Sequence, residues 1–207
     1  MEAIYRPLLG KPLKALPLLE AAKSIEDLLV SKLTEHVAAD QLRQGQPLLQ
    51  LRMAVHAAER FLRKEAEAVG MGAEITPLEL EDDMAFPLEK ATTAIGSPVL
   101  IKGRLDRVEM LNGLVRILDL KTGKVDTSHL KVNEFTVDAL KGNKRYAAQL
   151  LVYAWLYFKK HPGTAALQTG ILPLQRVDSS EPVLMTMPEG ATVTRASMPH
   201  IEELLTA

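Results

Sequence analysis

The chain has 207 residues, of which 47% are hydrophobic and 25% charged, and it has no cysteine. Such a chain is long and apolar enough for one compact domain with its own core, and it does not have the composition of a disordered segment. Its 25 basic and 26 acidic residues leave a formal charge of −1. This excludes a basic coat gripping nucleic acid through bulk charge, and the lack of cysteine excludes disulfides, thiolate metal sites and a cysteine nucleophile.

Residues 1–17, with Pro7, Gly10, Pro12 and Pro17, read as an irregular entry. From Leu18 to about Asp40 apolar residues recur at helical spacing (Leu18, Leu19, Ala22, Ile25, Leu28, Leu29, Leu33). Gly45-Gln46-Pro47 breaks the pattern. A second helix is predicted over about Leu48 to Val69, with a stripe of Leu49, Met53, His56, Ala57, Phe61 and Ala68 and a stop at Gly70. Beyond Gly70 the period changes. Ile75–Leu80 and Met84–Leu88 read as short strands, and Val99–Val108 and Leu114–Leu120 as longer ones. Asn112-Gly113 between the longer two is a strong hairpin signal, because a type I′ turn requires positive φ at both central residues. Residues 121–145 are polar and read as a loop with about one turn of structure. Tyr146–Lys160 is a helix stopped by His161-Pro162-Gly163, residues 165–173 and 181–187 read as strands, and Ser197–Leu205 as a helix.

This order predicts a single α/β (α+β) domain over residues 1–207, with a helical part at 1–70 and a mixed-sheet core at 71–207. No run of about 18 uncharged apolar residues marks a membrane span, and no apolar signal core follows Met1–Arg6. A cytoplasmic protein is the expectation.

With a two-residue turn at Asn112-Gly113, Leu111 pairs with Leu114 and Asp106 falls opposite Asp119. Alternation places Lys121 on the face of Asp119 and sends Leu105, Leu118 and Leu120 to the other, buried face. Facing carboxylates repel, and a divalent cation bridging them is the simplest relief. Mg2+ is commonly held by one or two carboxylates plus waters or phosphate oxygens. A solvated face or salt-bridge ladder, with Arg104 and Lys121 beside the acids, has the same pattern. A structural Ca2+ site accounts for the two acids but not for the ammonium beside them. On the following helix Gln149 and Tyr153 are four apart and share a face within an apolar run. An ordinary boundary position is the alternative. Lys141, Lys144 and Arg145 lie at that helix's start, where basic side chains and free N–H groups can meet phosphates; a solvated basic loop reads the same way.

Three segments then stand in one order: Gly103-Arg104-Leu105-Asp106-Arg107, Ile117-Leu118-Asp119-Leu120-Lys121-Thr122-Gly123, and Gln149-x-x-x-Tyr153. Together they resemble the RecB-type nucleases of the PD-(D/E)XK superfamily, most closely the nuclease domain of AddB/RecB-like helicase–nuclease proteins and related exonucleases. The resemblance covers about Leu100 to Tyr157. It implies a restriction-endonuclease-like core, a mixed sheet flanked by helices. It also implies that Asp106, Asp119 and the carbonyl of Leu120 bind Mg2+ or Mn2+, and that Lys121 orients the attacking water and stabilises charge on the phosphate. Gln149 and Tyr153 would hold the loop and the DNA backbone, with Lys144 and Arg145 as DNA contacts. The implied reaction is hydrolysis of DNA phosphodiesters, as an exonuclease of repair or recombination, with a helicase domain or subunit as partner. The alternative is a catalytically silent module on the nuclease fold that binds DNA or such a partner.

The family's upstream His, in a context like G-x-x-x-H-x-x-L-E, is not found. This and the lack of a C-terminal cysteine cluster imply a piece of a longer protein. His36 and His56 are the histidine candidates within the chain, with His56 expected at a boundary or core position. Glu79 is a further acid candidate, against a plain exposed strand carboxylate.

Overall fold

In a computed structural model, which describes residues 2–92, 96–174 and 181–206, Asn112 and Gly113 both have positive φ, +49° and +84°. The turn joins β2 (Pro98–Leu111) to β3 (Leu114–Lys121) in the expected register, from Leu111↔Leu114 to Arg107↔Leu118. β1 (Ile75–Thr92) lies antiparallel to β2. β4 (Ala166–Pro173) runs parallel to β3, and the short β5 (Val183–Leu184) and β6 (Thr192–Thr194) lie antiparallel to β4. The result is a mixed sheet of six strands, ordered β1-β2-β3-β4-β5 with β6 also on β4.

One face of the sheet carries α1 (Glu2–Tyr5), α2 (Ala15–Lys23) and α4 (Gly45–Gly70), whose Tyr5, Leu18, Phe61 and Leu62 pack with Ile75 and Leu172. α3 (Ile25–Thr34) adds Ile25. The other face carries α5 (Arg145–Lys160) and α6 (Met198–Thr206). α5 is apolar around most of its circumference, and accordingly nine of its residues are buried, Trp155, Leu156 and Phe158 among them. Ile171 and Leu172 show the two-layer logic within β4: consecutive residues enter opposite cores.

Four expectations change. The helix expected from Leu18 to Asp40 is broken at Ser24, whose hydroxyl bonds back to the Glu20 carbonyl at 3.3 Å. The two short strands expected between Ile75 and Leu88 are one, because β2 continues to pair across the acidic run and Arg104 meets Glu81 at 3.0 Å. Residues 121–145 hold three short 3-10 turns where one turn is expected. On α4 the predicted stripe meets the core only in part: Phe61 is buried, but Leu49 and Met53 are 60% and 49% exposed. The buried row is Leu51, Phe61, Leu62, Glu65 and Ala66, with Val55, Ala58 and Val69 packed beside it. This row contains an acid, which a search for apolar residues alone passes over.

The side chains of β2 change faces part-way along the strand. Gly103 and Leu105 face α5, whereas Arg107, of the same parity, faces α4. The reversal falls at Asp106. Beside it in β1 Glu81 takes φ +51°, a left-handed conformation that non-glycine residues adopt uncommonly. Gly103 itself is held close to α5. A Cβ there would lie 2.7 Å from Leu156 Cδ1 and 3.1 Å from the Tyr153 ring. Gly103→Ala is expected to destabilise by about 1–3 kcal/mol through overpacking, read by urea unfolding; an unchanged midpoint would mean that the helix yields freely.

Candidate active site

β3 delivers two charged side chains to the α5 face at its C-terminal end, because Asp119 and Lys121 are two positions apart. Asp119 is 2% exposed. One carboxylate oxygen, Oδ2, meets Lys121 Nζ at 2.8 Å, as an ion pair rather than a directed hydrogen bond. The other, Oδ1, accepts from Gln149 Nε2 at 3.1 Å. The same Gln149 amide donates to the Tyr153 hydroxyl at 2.6 Å, as side chains one helical turn apart can. Burial pushes the Asp119 carboxyl above its ordinary range, and the neighbouring Asp106 charge adds to this against the opposing pull of Lys121. For Lys121 burial works downward, but the Asp119 carboxylate outweighs it, and the ammonium sits above its usual value. Burial also raises the Tyr153 hydroxyl.

Asp106 does not pair with Asp119 across the ladder, as the hairpin rule alone would have it. The β2–β3 ladder ends at Arg107↔Leu118. Past that point the Asp106 carboxylate reaches the backbone of β3, where Oδ2 accepts the Leu120 N–H at 2.8 Å. The strands are tied there by a side chain. The three leucines expected on one buried face are divided between the two faces. Leu105 lies in the α5 core, while Leu118 and Leu120 lie on the α4 side.

Two neighbouring acids, one of them raised chiefly by burial and carrying a buried oxygen that has no directed hydrogen bond, form a donor set that fits a divalent cation. Among the described residues no group of three His, Cys, Asp or Glu side chains is placed to hold a metal. A cation here would be held by two carboxylates and completed by carbonyl, water or substrate oxygens, which is the habit of Mg2+.

A family model of the PD-(D/E)XK nuclease superfamily matches residues 1–203. The chain belongs to the PD-(D/E)XK nuclease superfamily. Neither the curated proteins nor the solved structures contain a match to it. Members of the superfamily are nucleases that generally use divalent metals, and the mixed six-stranded sheet flanked by helices is consistent with a restriction-endonuclease-like core. No described helix is long and apolar enough to cross a membrane.

Within this PD-(D/E)XK domain the remaining candidates separate. Glu79 is neither at the site nor an exposed strand carboxylate. It bonds Lys160 at 3.0 Å and His161 at 2.8 Å at the far end of α5. His56, expected at a boundary or in the core, is exposed, as is His36. Lys144 donates to the carbonyls of Ser128 and Lys131, the latter at 2.6 Å, and so ties the 121–145 segment to the start of α5. Arg145 is exposed at the first position of α5.

The sequence reading missed a buried charged cluster next to Asp106. Arg107 lies between Glu65 at 2.5 Å and Glu109 at 2.6 Å, and Arg116 closes on Glu109 at 2.7 Å. The Tyr5 hydroxyl donates to Glu65, and the Arg107 guanidinium lies 4.4 Å from the Tyr5 ring centroid. Burial drives Tyr5 and Glu65 upward. The available signal was Glu65 itself, an acid in register with Leu51, Val55, Ala58 and Leu62.

Proposed function

We propose that the chain is a divalent-metal-dependent DNA nuclease domain of RecB/AddB type. On this reading it hydrolyses phosphodiesters exonucleolytically in repair or recombination, beside a helicase domain or subunit. The supporting observation is that Asp119, Lys121 and Gln149 meet at the point where Asp106 bonds the β3 backbone.

Asp106, Asp119 and the Leu120 carbonyl would hold Mg2+ or Mn2+. A metal so held supplies Lewis-acid polarisation of the phosphate and a more acidic bound water. Lys121 is 28% exposed, so its ammonium can turn from Asp119 to a phosphate oxygen where negative charge builds. It would also orient the water attacking that phosphorus. Gln149 fixes the Asp119 carboxylate through Oδ1, and Tyr153 fixes the Gln149 amide, so the acid keeps its orientation when the ammonium leaves it. Arg145 would contact the DNA strand beside the uncapped N–H groups of the first turn of α5, which can meet a phosphate. Lys144 serves the same end by holding its segment in place.

Incubating the protein with linear single- and double-stranded DNA in Mg2+ or Mn2+ tests the reading. Cleavage that chelation abolishes is the expected result. Intact DNA under every metal, from a protein that is folded by thermal melt, would contradict it and favour the silent module.

A further inference from the structure

α5 presents a third side chain on its site face. Tyr146 precedes Gln149 by three positions and Tyr153 by seven, the spacing of one helical stripe. Its ring centroid lies 5.8 Å from Lys121 Nζ and 4.8 Å from the Arg145 guanidinium, whose Nη2 donates to the Tyr146 hydroxyl at 3.1 Å. The ring is half-buried, with its inner part against the core, and Arg145 is exposed. An aromatic plane and a guanidinium plane thus stand together at the rim of the site. Both surfaces stack on nucleobases, and such stacking requires that the base be out of its duplex. Lys144 is held by the Ser128 and Lys131 carbonyls, whereas the guanidinium of the exposed Arg145 lies against the Tyr146 ring.

We propose that Tyr146 and Arg145 form a nucleobase-stacking subsite, which holds one unstacked base of the substrate strand beside the phosphate that Lys121 meets. The proposal rests on the nuclease reading. It makes the strand at the site single-stranded, either supplied so or frayed from a duplex end.

The test measures binding of a short single-stranded oligonucleotide, an abasic strand of equal length and a blunt duplex. The full chain is used in Ca2+, under conditions where the strand stays intact. Tyr146→Leu keeps the apolar packing and removes the π face; Tyr146→Phe keeps both. Loss of one stacked base is expected to weaken single-strand binding by Tyr146→Leu about tenfold or more. Tyr146→Phe should bind as the natural protein does. Binding of the abasic strand, binding of Mn2+ and the melting temperature should not move. Undiminished single-strand binding by Tyr146→Leu, or an equal loss on the abasic strand, overturns the subsite. If the natural protein cleaves DNA and Tyr146→Leu has no effect, only the subsite fails. If the folded natural protein neither binds nor cleaves any DNA, the nuclease reading fails with it.

Discussion

Asp119→Asn is expected to lower metal-dependent DNA cleavage by about a thousandfold, because metal-assisted charge stabilisation is worth several kcal/mol and each ~1.4 kcal/mol is tenfold in rate. The fold should not suffer. Asn keeps the shape of the side chain and an oxygen to accept from Gln149, and it removes a charge that burial opposes. Lys121, losing its ion pair, remains accessible to water. The melting temperature should therefore stay level or rise slightly. Three measurements bear on this: the cleavage rate, calorimetric titration with Mn2+, and thermal melts with and without Mn2+. The natural protein should gain stability from Mn2+, as any ligand of the folded state confers it, and the variant should gain little. Full cleavage by Asp119→Asn would place the chemistry elsewhere. Lost cleavage with a large drop in melting temperature would mark Asp119 as structural.

Arg107→Met is expected to destabilise the protein by about 3–5 kcal/mol, because it strands Glu65 and Glu109 in the interior without their common partner. For a chain of this length that corresponds to a fall of roughly 10 °C in melting temperature. Combining it with Glu65→Leu should recover part of the loss, since one orphaned carboxylate goes, so the double variant falls short of the sum of the singles. Urea unfolding of the four species measures the coupling directly. Additive losses would show that Arg107 and Glu65 act independently despite their 2.5 Å contact. Because Arg107 adjoins Asp106, this cluster also anchors the strand that carries an acid of the site to α4 and, through Tyr5, to α1.

The hairpin was legible because its determinants are local. Asn112-Gly113 demands a turn with positive φ, and the turn dictates pairing as far as Arg107↔Leu118. Period-2 alternation likewise puts Asp119 and Lys121 on one face, and i, i+4 spacing brings Gln149 to Tyr153. What was not legible depends on distant partners. The reversal at Asp106 accompanies the left-handed Glu81 in a neighbouring strand, and no residue of β2 announces it. The buried row of α4 runs through Glu65, which an interior accepts only with Arg107 opposite, 42 positions away. Glu79 and Lys144 find their partners through the fold rather than through spacing. Leu49 and Met53 carry the apolar signal of a core face without occupying one.

The bond from the Leu120 N–H to Asp106 gives the molecule an internal spectroscopic reporter. That amide proton rests on a carboxylate rather than on a strand carbonyl, so its resonance and its rate of deuterium uptake follow the charge and position of one side chain. Any cation that draws Asp106 away from β3 releases this proton, and its signal should shift first and furthest among the amides of the strand. Cation binding at the proposed centre would therefore be followed at a single backbone position, without substrate and without turnover.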